Sequence, residues 1–118
     1  MASIDSVELA KAIGDPIRAK ILDRLASGRS GACCSPTDPS APTAICACDL
    51  APALGEMAPS RLAYHLGILR AVGLVEESKR GKWVYYTINQ ETIEAFRTAL
   101  GRRWLPKARP RAPRRARR

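Results

Sequence analysis

Residues 49–73 read DLAPALGEMAPSRLAYHLGILRAVG, and the spacing of their leucines, prolines and glycines decides the fold. Pro59 opens a helix in its first turn, where a backbone N–H has no intrahelical partner to lose. Leu62, Leu66 and Leu69 then recur at helical spacing, which predicts an inward face, and Gly73 closes the element. Ahead of it the pattern predicts a short helix from about Cys48 to Leu54. Pro52 fits there only in the first turn, and Gly55 supplies the stop. Two helices separated by a glycine make residues 49–73 a helix-turn-helix.

Working outward, Ile4, Val7, Ala10 and Ile13 repeat every three residues and predict an amphipathic helix over 4–13. Asp15 then stands as N-cap before Pro16, and a second helix runs to about Ser27 with Ile17, Ile21, Leu22 and Leu25 on one face and Gly28 after it. Downstream, residues 74–79 and 83–88 alternate in polarity about Arg80-Gly81-Lys82, the signature of a β-hairpin. A last helix over about 90–104 carries Ile93, Phe96, Leu100 and Trp104. The expected fold is mainly α (α+β): a winged helix-turn-helix with a two-stranded β-hairpin wing. The apolar stripes on the first and last helices find no partner inside so small a domain, which points to a homodimer built through those two helices.

With 118 residues the chain is one domain of modest core. Its formal charge of +9 is unevenly placed. Seven of the 20 basic residues fall within 106–118 and no acid does, so the remainder holds 13 basic against 11 acidic residues, a balance of +2. We therefore expect a winged domain over residues 1–105 and a disordered basic tail over 106–118, whose arginines would add nonspecific attraction to phosphate. No stretch approaches the ~18–20 apolar residues that cross a bilayer. The first residues lack the basic and apolar runs of a signal peptide, so no membrane partner and a cytoplasmic location are expected.

All four cysteines lie within sixteen residues, as Cys33-Cys34 and Cys46-Ala47-Cys48. In a reducing compartment such a cluster points to metal or redox chemistry rather than to structural disulfides. Several thiolates can share one soft ion, and closing that ring bends the neighbouring backbone. The intervening stretch, residues 28–45, is rich in Gly, Ser, Pro and Thr with no apolar period; it reads as a loop long enough to carry two sulfurs back to the other pair. An enzymatic reading finds little support: there is no Cys-x-x-Cys, no phosphate-binding loop, one histidine and no paired acid/base set.

Three segments taken together, the Cys46-Ala-Cys-Asp-Leu box, the run from Ser60 through His65-Leu-Gly-Ile-Leu-Arg to Val75, and the Gly81-Lys-Trp-Val-Tyr-Tyr stretch, resemble the ArsR/SmtB family of metal-responsive repressors. The resemblance spans about residues 6–100. It implies a dimeric repressor that binds double-stranded operator DNA and releases it when a metal or metalloid ion binds. It also implies that a sensing cysteine usual in arsenic-type members is replaced here by Ala51, and that the histidine-containing site on the last helix of zinc-type members is absent. The missing donor is then expected from Cys33 and Cys34, giving Cys33, Cys34, Cys46 and Cys48 as the metal set. Vicinal cysteines suit trivalent As(III) or Sb(III) and strain a tetrahedral divalent site. A Cd/Pb/Zn-responsive repressor and a thiol redox-sensing one are the alternatives.

For the DNA face, Ser60, Arg61 and Tyr64 fall on the outward side of the second helix near its start, the part that enters a major groove. Arg61 has the fork geometry to read guanine. His65 matches the histidine of the resembling family and is read as a helix-packing or phosphate-contacting residue. Arg80 and Lys82, at the tip of the wing, are expected to reach phosphate in the minor groove.

Overall fold

The computed structural model describes residues 5–29 and 36–107. Helix α1 (Ser6–Ile13) is capped by Asp5, whose carboxylate accepts from Val7 N at 3.1 Å and Glu8 N at 3.2 Å. Helix α2 (Pro16–Ser27) starts as its sequence requires: Asp15 accepts from Ile17 N at 2.7 Å and Arg18 N at 3.3 Å, and Pro16 occupies the first turn. Strand β1 (Ile45–Cys46) leads directly into α3 (Ala47–Leu50), and a single 3-10 turn, Pro52–Leu54, follows. Helix α4 (Pro59–Ala71), strands β2 (Val75–Arg80) and β3 (Trp83–Ile88), and helix α5 (Gln90–Trp104) complete the order.

The core collects Leu9 and Ala12 of α1, Ile21 and Leu25 of α2, Leu50 of α3 and Leu62, Leu66 and Leu69 of α4 against Ile45, Leu74, Val75 and Tyr86. The leucine spacing of α4 therefore does face inward, and the burial of three such side chains fixes the helix's rotation about its axis. Between α3 and α4 the chain turns on Gly55 and Glu56, both at positive φ (77° and 59°), with Glu56 N bonded to Ala51 O at 2.9 Å. Only glycine takes that conformation without strain, so Gly55 lets the second helix leave at its angle to the first.

Two expectations need correction, and the hairpin wing gains a third strand. The buried face of α1 is Ser6, Leu9 and Ala12; of the expected stripe, Ile4 lies outside the described residues, Val7 (41%) and Ala10 are exposed, and Ile13 packs partly buried against the core. The segment 48–54 is not one helix. Pro52 has no N–H to donate, so α3 ends and a 3-10 turn restarts at the proline. The sheet also has three strands in the order β1-β3-β2, all antiparallel, because Ile45 pairs with Tyr86 and Cys46 with Tyr85. The wing hairpin closes on Gly81, whose φ of 61° at the first central position is what a type II′ turn requires. Helix α5 buries no residue completely, and Ile93, Trp104 and Leu105 are exposed at 37%, 62% and 69%.

Candidate functional site

Cys46 ends β1 and caps α3, with extended backbone (φ −70°, ψ 148°). That placement turns its sulfur toward Cys48 one residue past the junction, and the two sulfurs lie 3.2 Å apart. Cys46 is a buried free thiol with 3% exposure, packed with Ala44 and Tyr85; Cys48 is exposed and is held in a disulfide. Cys33 and Cys34 lie outside the described residues. Among the described residues no group of three or more His, Cys, Asp or Glu side chains converges. Ala51, where the resemblance implies a third sulfur, is the C-cap of α3.

The next residue of the box, Asp49, is 6% exposed and bonds Arg24 of α2 at 3.1 Å. Cys46 is meanwhile tied by backbone pairing to Tyr85 of the wing strand β3. The Cys46–Cys48 box thus has two connections, one to α2 through Asp49 and one to the wing through β1.

On α4, Ser60, Arg61 and Tyr64 are exposed, Tyr64 by 63%. His65 is not: it is 5% exposed, and its Nδ1 lies 3.0 Å from Arg18 NH1. Arg18 Nε also donates to Ala12 O at 2.7 Å, so one guanidinium joins the end of α1, the start of α2 and the middle of α4. The Tyr64 ring meets His65 edge-on, with centroids 5.1 Å apart. His65 is therefore a packing residue that orients α4 and holds Tyr64, and it presents no free edge to DNA.

At the wing, Lys82 is exposed with its ammonium 5.1 Å from the Trp83 ring. Arg80 is half exposed but already occupied. Its NH2 lies 2.9 Å from Asp38 Oδ1 and donates to Ser40 Oγ at 2.6 Å. Tyr85 Oη donates to the Pro36 carbonyl, so the segment from Pro36 to Ser40 is strapped to the wing at two points. Burial would raise the Asp38 carboxyl, but the Ser40 N–H and hydroxyl and the Arg80 guanidinium outweigh it and hold it below the usual range. Asp15 behaves alike: desolvation is outweighed by the Ile17 and Arg18 N–H groups and the Arg18 charge. Tyr86, by contrast, is pushed up to about 12 by burial and by its 2.9 Å bond to Glu77.

Sequence reading missed Asp38, Arg18 and Arg24. Only Asp38 left a trace, as an Asp before Pro39 in a turn-forming run. The two arginines act across 47 and 25 residues and leave none.

A helix-turn-helix followed by a hairpin wing, with a recognition helix exposed along one edge, defines a winged helix-turn-helix regulator. No family model matches the chain. It is 30% identical over 89 residues, 75% of its length and 83% of the other's, to an uncharacterised HTH-type transcriptional regulator of Methanocaldococcus jannaschii. An arsenical resistance operon repressor of Escherichia coli is 42% identical over 45 residues, a stretch that covers 38% of this chain and 38% of that repressor. Among solved structures, an ArsR family transcriptional regulator superposes with a TM-score of 0.61 at 21% identity, covering 86% of this chain and 91% of its own, a likeness of fold. The chain belongs to the ArsR/SmtB family of winged helix-turn-helix transcriptional regulators. It is a regulator of that kind and not an enzyme. No helix among the described residues is long and apolar enough to cross a membrane.

Proposed function

We propose that the protein is a homodimeric repressor that holds double-stranded operator DNA and lets it go when trivalent As(III) or Sb(III) binds Cys46, Cys48 and one or both of Cys33 and Cys34. The observation that carries this reading is the 3.2 Å separation of the Cys46 and Cys48 sulfurs. With metal–sulfur bonds of about 2.3 Å, sulfurs that close subtend about 90° at a shared ion, while a tetrahedral ion would spread them to about 3.8 Å. A lone-pair-bearing trivalent ion is pyramidal and takes the narrower angle. The likeness to an arsenical resistance repressor supports the same choice.

Ser60, Arg61 and Tyr64 would meet base edges in the major groove, with Lys82 on the phosphates beside it. The half-exposed apolar groups of α1 and α5, Val7, Ile93 and Trp104, would face the second copy. Ion binding would reset β1 and α3, and with them both the wing strand and the α2 contact made by Asp49. A coupling of about 2–3 kcal/mol corresponds to a release of about thirty- to a hundred-and-fiftyfold.

A thiol redox regulator is the second reading, favoured by the disulfide at Cys48. One titration separates them. A labelled duplex from upstream of the gene is bound under reducing conditions, and arsenite, antimonite, cadmium, lead and zinc are added in parallel. Release by the two metalloids at the lowest concentrations supports the proposal. Release by a thiol oxidant alone, with no response to any ion, transfers the function to the redox reading.

A further inference from the structure

Asp38 is an unusual residue to find on a proline-rich connector. It is 2% exposed, yet its carboxyl is held below the normal range and is therefore ionised at neutral pH. Its own turn prepares it for a cation: Ser40 donates to Oδ1 from the backbone at 3.0 Å and from the hydroxyl at 2.9 Å, and Ala41 N bonds the Asp38 carbonyl at 3.0 Å. The cation it receives is Arg80, the last residue of β2 at the base of the wing tip. Ser40 Oγ accepts from the same guanidinium, so two groups of the strap share one wing arginine.

We infer that Asp38 is a positioning residue that withholds Arg80 from the nucleic-acid backbone and so lowers the protein's affinity for DNA of arbitrary sequence. This rests on the DNA-binding reading given above. The physical argument is competition between two anions for one guanidinium. A phosphate that takes Arg80 must strip a desolvated carboxylate of its ion-pair partner, so Arg80 contributes little to phosphate attraction while the strap is docked. Phosphate contacts carry no sequence information. In a chain of net charge +9, removing one such contact leaves a larger share of the binding to the exposed face of α4. Asp38 is thereby a specificity determinant that never touches a base.

The test uses the full chain, a mixed-sequence duplex of about 30 base pairs, long enough for two half-sites one turn apart, and anisotropy across a salt series. Wild type is compared with Asp38→Asn, Arg80→Ala and the double variant. Asn keeps an acceptor for Ser40 but removes the charge. Each phosphate contact adds ~0.9 to the slope of log affinity against log salt, about threefold in affinity between 50 and 200 mM. The expected result is that Asp38→Asn steepens the slope by ~1.8, ~0.9 from the Arg80 of each protomer, Arg80→Ala leaves it at the wild-type value, and the double variant matches Arg80→Ala. A slope already flattened by Arg80→Ala alone overturns the inference, because Arg80 is then on phosphate in the wild type. Equal steepening by Asp38→Asn with Arg80 absent also overturns it, since the effect is then a general loss of negative charge. Ser40→Ala, which removes the second acceptor for Arg80, must shift the slope in the same direction and serves if Asp38→Asn melts early. A wild-type chain that binds no duplex at any salt fails the DNA reading itself, and the inference with it.

Discussion

Replacing Asp49 tests how the thiol box is fastened to the helices behind it. Asp49 is 6% exposed and its Arg24 partner 16%, at 3.1 Å, so the pair is well shielded from solvent. An exposed pair would contribute at most about 1 kcal/mol. Breaking a buried one costs about 3–5 kcal/mol. The residual exposure of Arg24, and its second bond to the Gly28 carbonyl, place Asp49→Ala at the lower end, about 3 kcal/mol. With a urea m-value of about 1.5 kcal/mol per molar, that moves the unfolding midpoint down by about 2 M. Far-UV circular dichroism at one fixed protein concentration measures it. The same variant must also expose Cys46, now 3% accessible, so its labelling by a thiol reagent under native conditions must quicken well before the unfolding transition. A midpoint shift under about 0.5 M at unchanged m, with Cys46 still protected, refutes the claim that Asp49 anchors the box.

Three further outcomes follow from the same geometry. Tyr86 is protonated in the fold up to about 12 against an ordinary value of 10, so it stabilises below pH 10 and that stabilisation is lost as pH rises from 10 toward 12. Tyr86→Phe must flatten alkaline unfolding by as much as about 3 kcal/mol across that window, read by denaturant titrations at stepped pH. Asp15 and Asp38 have the opposite sign: both are depressed, so their contribution is present above the ordinary aspartate range and lost as pH falls below it, and Asp15→Asn must blunt acid unfolding followed by circular dichroism. For the DNA face, Arg61→Ala must cost about 1–3 kcal/mol per half-site on the operator and little on arbitrary duplex, while Lys82→Ala weakens both alike and lowers the salt slope by about 1.8, ~0.9 for each protomer; competition anisotropy distinguishes the two patterns.

The elements that were legible in the sequence are those whose signals are local. Asp15 and Pro16 announce α2, and Leu62, Leu66 and Leu69 announce the rotation of α4, because caps and helical spacing act within one turn. The wing was equally plain from its alternation about Gly81. Strand β1 was not, since two residues cannot show a period and its partners, Tyr85 and Tyr86, lie some forty positions away. The face of α1 was misread because aliphatic residues occur on two sides of it. Packing against α2, α4 and α5 buries Leu9 and Ala12 and leaves Val7 outside. At the site, the Cys46–Cys48 proximity followed from spacing alone, as did the exposure of Ser60, Arg61 and Tyr64. The burial of His65 against Arg18 and the pairing of Arg80 with Asp38 are tertiary facts that no local pattern announces.

The claim on which the account stands is that Cys46 and Cys48 hold one soft ion between them. Arsenic-edge X-ray absorption on the fully reduced protein loaded with one arsenite per chain addresses it without any assay of DNA binding. The expected first shell is sulfur, about three neighbours, and it loses sulfur and gains a light atom when Cys46 and Cys48 are both replaced by Ser, because Cys33 and Cys34 then leave only two thiols. An unchanged sulfur shell in that double variant, or an oxygen shell in the wild type, contradicts the claim.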